Sequence, residues 1–478
     1  MDSKTIAHAL CPFLLTGCLF RVGPDYTPPE LSAPPDQWSM AVGAQVSETD
    51  APMRAWWLIF EDPTLTTLIE RAHTSNLSVA LAVARLAEAR AQLGIQRADR
   101  YPNLTGSGAV ERQRGSDGVS VAPPPQSRTD TIRQLSLESS WEWDLWGRVR
   151  RSIEAERATF AAQQEDLRDV LVLIYAEIGT RYIRLRALQE RLRLAQINVQ
   201  LQQETLSLVA ARNKAQLAPD SEVRQAELNL AATEAAVPSI ETSIAQSIHQ
   251  LSVLLGEQPQ QLRPSLAWTK PLPDTPDSLS VSLPADTIRQ RPDIRRAERT
   301  LASQTALIGV ATAELFPNFF INGDFGFGTA TGELVSSDNR SWGIGPVFSW
   351  NLFNAGRVRN SINAQEARTE QALISYEETV LTALQDVEDS LIAYFNEQRR
   401  RAALARSVLA AQQAAELIRE LYRRGLTDFQ NVLDAQRSLF SQQDDLAASQ
   451  GEVLINLINV YRSFGGGWLV LDELGAIN

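Results

Sequence analysis

The chain has 478 residues, of which 44% are hydrophobic and 21% are charged, and its net charge is −12. This composition excludes a wholly disordered chain, and the acidic balance argues against a nucleic-acid partner. Both cysteines, Cys11 and Cys18, lie near the N-terminus, and the three histidines have no second ligand at metal-binding spacing. The sequence therefore predicts no catalytic thiol, no metal site and no cofactor in the folded body.

The N-terminus carries the features of an export signal. Lys4 precedes a mostly apolar run from Ile6 to Leu15, which predicts a signal peptide over residues 1–17. The Leu-Thr-Gly-Cys sequence that ends at Cys18 resembles the bacterial lipoprotein box, so Cys18 is the predicted lipidation site and outer-membrane lipid a predicted partner. The alternative is an accidental four-residue match. Residues 18–60 are predicted to form a lipidated, extended arm.

An internal repeat organises the rest of the chain. Residues 76–104 align without gaps on residues 291–319. A second pair of matching segments starts at Trp143 and Trp350 and needs a two-residue insertion in the second copy. One unit is therefore predicted to occur twice. The predicted boundaries are 61–270 for repeat 1, 271–468 for repeat 2 and 469–478 for a C-terminal tail.

Each repeat contains a very long helical pattern. Apolar residues recur at heptad spacing over 185–209 and over 380–394, which indicates coiled-coil packing. A helix over residues 147–213 would span on the order of 100 Å, too long for a compact domain. Thr427 and Gln430 fit a capping box, which predicts that a returning helix starts there.

Four segments alternate polar and apolar side chains with a period of two, which predicts β-strands. Such strands fit either a half-buried sheet on a soluble core or a barrel wall with lipid outside and water inside. Five of the ten tryptophans lie in or beside these segments, which favours the barrel. The predicted strands cover 104–112, 133–145, 318–328 and 341–353. The acids expected to face the barrel lumen are Glu138, Glu142, Asp144 and Asp324, on polar faces without obvious basic partners.

Four strands are too few to close a barrel, and an open edge in hydrocarbon leaves backbone groups unpaired. Two copies would give eight strands, whose interior is filled by side chains, whereas three copies would give twelve and leave a passage. A homotrimer is thus the smallest predicted assembly that closes and conducts.

The chain resembles the TolC-type outer-membrane channel-tunnels of tripartite efflux pumps, in their lipoprotein branch (OprM/NodT-like). The motifs that carry the resemblance span nearly the whole chain and are Leu15–Cys18, Val22–Tyr26, Trp56-Trp57, Arg291–Ile294, Phe316-Pro317, Phe353–Arg357 and Gly466–Trp468. The resemblance implies a mainly α fold with a membrane β-barrel, in which each duplicated unit supplies long coiled-coil helices and two transmembrane strands. Three chains would form a 12-stranded barrel in a Gram-negative outer membrane and an α-helical periplasmic tunnel.

The implied function is that of the exit duct of a tripartite pump, which passively conducts drugs or other small toxic compounds from the periplasm to the exterior. The implied partners are a periplasmic adaptor (membrane fusion) protein and an inner-membrane transporter of the RND type. Nucleotide-binding and hydrolase motifs are not found in the sequence, so no enzyme is expected. The alternatives are a lipid-anchored periplasmic coiled-coil protein of structural or adaptor type, and a type I protein-secretion duct.

In the family that the chain resembles, polar contacts near the helix breaks hold the periplasmic tip shut. The resemblance places this gate at Tyr422, Asp434, Glu222 and Asp428 of the present chain. Each also has an ordinary structural interpretation: Tyr422 as a helix-end core residue, Glu222 as a first-turn acid favoured by the helix dipole, and Asp434 as a solvated side chain.

Overall fold

The computed structural model describes residues 21–29, 38, 45–46, 55–114, 129–274, 280–281, 289–330 and 332–468. Its helices are α1 (Pro63–Ser75), α2 (Leu77–Ala98), α3 (Arg148–Lys214), α4 (Asp220–Leu254), α5 (Arg263–Leu266), α6 (Pro292–Ala313), α7 (Arg357–Arg423) and α8 (Phe429–Ser463). Its strands are β1 (Gln45–Val46), β2 (Asn103–Arg114), β3 (Thr129–Glu142), β4 (Ser280–Val281), β5 (Asn318–Thr329) and β6 (Arg340–Ser349). Within these ranges no helix is both long and apolar enough to cross a membrane.

Two pairs of helices dominate the fold. The long helices α3 and α7 have 67 residues each, and the returning helices α4 and α8 have 35 each. A 67-residue helix is about 100 Å long at about 1.5 Å per residue. The heptad positions form buried seams, as at Leu185 and Val209 of α3 and Val387 and Leu391 of α7, which are all fully buried. The long coiled-coil helices predicted from the heptads are confirmed.

The four long strands form one antiparallel sheet in the order β2-β3-β5-β6. The predicted strands 104–112 and 318–328 match β2 and β5 to within two residues at both ends. The predicted strand 341–353 runs four residues past the end of β6 at Ser349, and 133–145 runs three residues past the end of β3 at Glu142. The reason is that Asp144 already accepts hydrogen bonds from the backbone N–H groups of Val149 and Arg150, at 3.0 Å each, at the start of α3. A side chain engaged as a helix cap is no longer part of a strand.

The described chain divides into two compact units, and each draws on both predicted repeats. Unit 1 comprises Met1–Glu30, Leu86–Gln163 and Arg296–Tyr376, and it includes the four-stranded sheet. Unit 2 comprises Leu31–Arg85, Gln164–Arg295 and Glu377–Asn478, and it includes both turns between the long and returning helices. The division at residue 270 therefore remains a prediction about sequence duplication. Residues 1–17, Cys18 and the tail 469–478 lie outside the described residues.

The repeat is more regular than the sequence alignment suggested. The indole of Trp141 donates to the carbonyl of Arg100 at 2.9 Å, and the indole of Trp350 donates to the carbonyl of Leu315 at 3.1 Å. These two contacts correspond in position, so Trp350 is the counterpart of Trp141 and not of Trp143. The two-residue insertion inferred from the sequence was wrong. The sequence comparison aligned the residues of a short motif without the strand pairing, which is what fixes the correspondence between the two copies.

A polar side chain binds the C-terminal end of α4 in repeat 1. Asn76 donates from its side-chain amide to the carbonyl of Leu254 at 2.6 Å, and its side-chain oxygen caps the first turn of α2. Gly256 follows with a φ of 70°, and a Cβ on it would lie 2.4 Å from the carbonyl oxygen of Ser75. Only glycine fits this close approach, because both the backbone conformation and the space exclude a side chain.

A buried arginine binds the C-terminal end of α8 at the corresponding position in repeat 2. Arg291 donates to the carbonyl of Ser463 at 2.6 Å, at the end of α8, and pairs with Asp293 and Asp386 at 2.7 and 3.3 Å. Gly465 takes the role of the earlier glycine, with a φ of 74° and 3.2 Å between its ideal Cβ and Arg291. The two repeats therefore satisfy the same helix end with different side chains.

The Trp56-Trp57 motif anchors a 3₁₀ turn (Trp56–Phe60) against α3 and α8. Trp56 is fully buried and stacks on Tyr461 of α8, and Trp57 packs edge-on against Tyr175 of α3. A Cβ on Gly179 would lie 2.7 Å from the Trp56 ring, so the glycine makes room for the indole. The motif is thus a packing feature of unit 2.

Truncating the two helix-end contacts is expected to destabilise the protein unequally. Asn76→Ala removes one hydrogen bond and one cap and should cost about 2 kcal/mol. Arg291→Ala leaves two carboxylates without their buried partner and should cost about 3 kcal/mol. Thermal unfolding of the detergent-solubilised protein, followed by circular dichroism, measures both. A midpoint for Arg291→Ala at or above that for Asn76→Ala would contradict this order.

His73 is expected to make stability depend on acid. Its Nδ1 atom lies 2.9 Å from the Tyr175 hydroxyl, and burial lowers the pKa of His73 below its usual value. As the pH falls below about 6.5, the unfolded chain binds a proton that the folded chain still excludes, so stability is lost. His73→Gln should flatten the fall in unfolding temperature on acidification. Equal slopes in His73→Gln and the wild type would refute the assignment.

Candidate functional site

The two turns between long and returning helices share one backbone geometry. At the end of α3, Gln216 has a φ of 55° and the backbone N–H of Leu217 donates to the carbonyl of Arg212 at 2.8 Å. At the end of α7, Gly425 has a φ of 74° and the N–H of Leu426 donates at 2.9 Å to the carbonyl five residues earlier. Both turns are Schellman motifs, which stop a helix sharply and let the chain reverse.

An apolar cluster joins the helices beside these turns. Its buried members come from all four long and returning helices and are Val209, Ala226, Tyr422, Phe429, Val432 and Leu433. The rings of Tyr422 and Phe429 are 5.5 Å apart, and Tyr422 is only 3% exposed. The ring of Tyr422 is therefore a core residue, while its hydroxyl remains available for a polar contact.

The hydroxyl of Tyr422 donates a hydrogen bond to Oε2 of Glu222 at 2.7 Å. Glu222 lies in the first turn of α4, so the bond links the two turns of one chain. Burial raises the pKa of Tyr422 above its usual value, and the carboxylate of Glu222 raises it further. The hydroxyl therefore stays protonated near neutral pH and remains a donor to the carboxylate. The structure thus brings together two of the four residues expected at the gate.

Arg212 belongs to the same site, although it was not singled out from the sequence. Its Nη1 donates to the carbonyls of Tyr422 and Arg423 at 2.9 and 3.3 Å. Its guanidinium lies 4.6 Å from the centre of the Tyr422 ring, in cation–π contact. A basic residue in the last turn of α3 was the available signal, but its partner is the end of a different helix, α7.

Asp434 and Asp428 do not join Tyr422. Asp434 is exposed and accepts from Gln430 on its own helix at 3.0 Å. Asp428 is the exposed N-cap residue of α8, and its side chain makes no capping hydrogen bond. The capping box was wrong, because the hydroxyl of Thr427 accepts from the side chain of Asn431 at 2.9 Å instead.

Two of the acids predicted to face a lumen lie side by side on the sheet. Glu138 of β3 and Asp324 of β5 are directly opposite each other in the strand register, and both are exposed. Leu137 and Phe325 form the neighbouring pair and point to the other face. The sheet therefore has a polar face with paired carboxylates and an apolar face. No group of acids, histidines or cysteines in the described ranges is arranged to hold a metal ion.

The other two acids are ion-paired, which corrects the expectation that these acids lack basic partners. Glu142, at the end of β3, accepts from Arg148 at 2.8 Å. Asp144 lies beyond the strand and accepts from Arg150 at 3.1 Å. Both arginines come from the first turn of α3, a pairing hidden in the sequence by the tight connection between strand and helix. These acids hold the strand–helix junction together.

The family profile described as outer membrane efflux protein matches residues 68–257 and 283–466. The chain belongs to this family. Nodulation protein T of Rhizobium leguminosarum bv. trifolii is 32% identical over 467 residues, which cover 97% of each chain. TtgC of Pseudomonas putida, named as a probable efflux pump outer membrane protein, is 29% identical over all of this chain and 98% of its own. The solved structure of the outer-membrane channel OprN is 34% identical and has a TM-score of 0.86, covering 94% of this chain and 99% of OprN.

The two matched segments fall on the two halves of the duplicated frame, so both copies belong to the outer membrane efflux protein family. The resemblance inferred from the sequence motifs is confirmed, as is the mainly helical channel-tunnel fold. The protein is an outer-membrane efflux channel that extends into the periplasm. Its family and relatives are channel-type efflux proteins.

Proposed function

We propose that three copies of the chain form the exit duct of a tripartite pump, together with a periplasmic adaptor and an inner-membrane transporter of the RND type. The duct passively conducts drugs or other small toxic compounds that the transporter selects. Two relatives from Pseudomonas putida named as antibiotic and toluene efflux pump outer membrane proteins support this cargo class. Docking of the adaptor and transporter opens the periplasmic ends of the helices.

The sheet carries the proposal. Its outer strands, β2 and β6, each pair with one neighbour in the described chain. One face exposes large apolar side chains, which are Leu135, Leu137, Phe325, Trp342, Ile344 and Phe348. Free edges next to an apolar face require further strands and lipid, and closing the sheet with copies of itself supplies the strands. Twelve strands leave an aqueous passage lined by the polar face.

The gate proposal rests on the contacts at the helix turns. Tyr422 of repeat 2 is held by Glu222 and Arg212 of repeat 1, so the two turns of a protomer are tied together. Breaking the hydroxyl–carboxylate bond allows α7 and α8 to rotate relative to α3 and α4 about the apolar cluster. Asp428 and Asp434, which are exposed and outside this bond, place carboxylates that attract cations near the passage.

Loss of the Tyr422 hydroxyl is expected to favour the open state. Each hydrogen bond to the charged carboxylate contributes about 1.5–3 kcal/mol, so its loss in three protomers shifts closure by about 5–9 kcal/mol. Tyr422→Phe should therefore conduct more than the wild-type trimer in planar bilayers, and Asp434→Ala should lower the preference for cations. Tyr394→Phe, a buried tyrosine at a distance from the turns in sequence, serves as the matched control.

Two outcomes separate the duct from the gate. If neither the wild-type trimer nor the Tyr422→Phe trimer ever conducts, the duct is refuted. Unchanged conductance and unchanged voltage response in both Tyr422→Phe and Asp434→Ala, in a conducting trimer, would refute the gate alone.

Lipidation of Cys18 remains a proposal that the docked arm supports. Arg151 is 1% exposed and donates to the carbonyls of Val22 and Gly23 at 3.1 and 2.9 Å. The backbone N–H of Val22 donates to the carbonyl of Trp146 at 3.1 Å, close to where β3 meets α3. Four residues reach at most about 14 Å, so acyl chains on Cys18 would enter the membrane near this junction.

Cys18→Ser is expected to abolish incorporation of radiolabelled palmitate in a Gram-negative host. Cys11→Ser should still be labelled, because Cys11 lies in the segment removed as signal peptide. Labelling of Cys18→Ser equal to that of the wild type, or an unlabelled wild type, would contradict the assignment.

A further inference from the structure

Four helix segments of unit 1 pack in a row set by the repeat. Helix α2 packs on α3 through Leu93 and Ile153. Helix α3 meets α6 through the hydroxyls of Thr159 and Ser303, 3.0 Å apart. Helix α6 meets α7 through a side-chain bond between Gln304 and Gln365 at 2.8 Å. The contact order within one chain is therefore α2, α3, α6, α7.

The repeat relates α2 to α6 and α3 to α7, so the first and third contacts of this row are equivalent. The middle contact, between α3 and α6, has as its equivalent a contact between α7 and α2. Thr159 corresponds to Arg368 and Ser303 corresponds to Glu88, and both counterparts are exposed. The two hydroxyls that are in contact within the chain therefore correspond to two exposed side chains of opposite charge, one on α7 and one on α2.

We propose that α7 of one protomer packs on α2 of its partner, with Arg368 facing the partner's Glu88 and Asn360 facing the partner's Gly94. This inference rests on the proposed trimer and specifies its register residue by residue. Opposite charges at matching positions favour this pairing over shifted ones, since a shift separates the charges.

The glycines support the same register. A Cβ on Gly309 of α6 would lie 2.8 Å from the Arg151 side chain and from the carbonyl oxygen of Val22, so glycine is required where α3 and the N-terminal arm approach α6. Its counterpart Gly94 is exposed and has no atom within 4 Å of its ideal Cβ in this chain. A glycine inside a helix costs about 1 kcal/mol relative to alanine. Close approach by the partner's Asn360, the counterpart of Arg151, gives this glycine a packing role.

The strand pairing that the repeat predicts between β6 of one protomer and β2 of its partner is consistent with the proposed pairing of α7 and α2. Within the chain Ser139 pairs with Gly323 and Trp141 with Ile321 across β3 and β5. The repeat converts these pairs into Phe348 against the partner's Gly108 and Trp350 against the partner's Gly106. Both aromatic side chains are more than half exposed in one chain. An aromatic ring that covers a glycine on the neighbouring strand is a known stabilising arrangement.

Disulfide trapping tests the register in the full-length trimer. Glu88→Cys combined with Arg368→Cys should give covalently linked dimers and trimers on oxidation. Thr159→Cys combined with Ser303→Cys, at the equivalent site inside the chain, should form a reducible internal bond but no covalent link between chains on a denaturing gel. Single-cysteine variants should likewise show no covalent link between chains, and neither should Glu88→Cys with Glu366→Cys, because Glu366 faces another side of α7.

Charge reversal supplies an independent measurement. Glu88→Arg and Arg368→Glu should each lower the temperature at which the trimer dissociates, and the double reversal should restore it. A trimer by native mass spectrometry that gives neither the disulfide nor the restoration would overturn the register while leaving the duct intact. A wild-type protein that is monomeric by the same measurement would overturn both.

Discussion

The rest of the structure depends on an antiparallel sheet whose two edges and apolar face find no cover in the described part of one chain. A strand edge next to lipid is costly because no water satisfies its backbone groups. In the proposed trimer, copies of the sheet complete it, and every element that leads into the sheet has to repeat with the same geometry. The duplication provides this, since β2 and β3 are joined to their helices in the way that β5 and β6 are joined to theirs.

The two repeats keep the geometry of their junctions while changing the chemistry. An asparagine in one copy and a buried arginine in the other hold the ends of α4 and α8, and a left-handed glycine follows in both. Two requirements are common to both repeats. The carbonyl at the helix end needs a hydrogen-bond donor, and the residue after the helix must be glycine because the backbone packs too closely for a side chain. The donor itself is free to change, and in repeat 2 it also pairs with Asp293 and Asp386.

The period of the apolar residues was enough to predict the long helices and the four strands. The heptad spacing along α3 and the alternation along β3 can both be read from the local sequence. Prediction from this period failed where a residue acts on another element. Asp144 looked like a strand residue but caps α3. Arg212 looked like a helix-end charge but binds the end of α7. The Tyr422–Glu222 contact joins residues 200 positions apart, so only the family resemblance placed them together.

The magnitudes at the helix turns constrain how the channel opens. A ligand needs about 5.5 kcal/mol of differential affinity to convert a mostly closed population into a mostly open one. Three hydroxyl–carboxylate bonds of about 1.5–3 kcal/mol each amount to a free energy of similar size. Separating the apolar cluster around Phe429 would expose six buried side chains per protomer, and the larger apolar ones cost about 1.5–3 kcal/mol each. In the proposed gate, docking breaks the polar bonds and leaves the cluster intact, so the helices rotate about the cluster as they open.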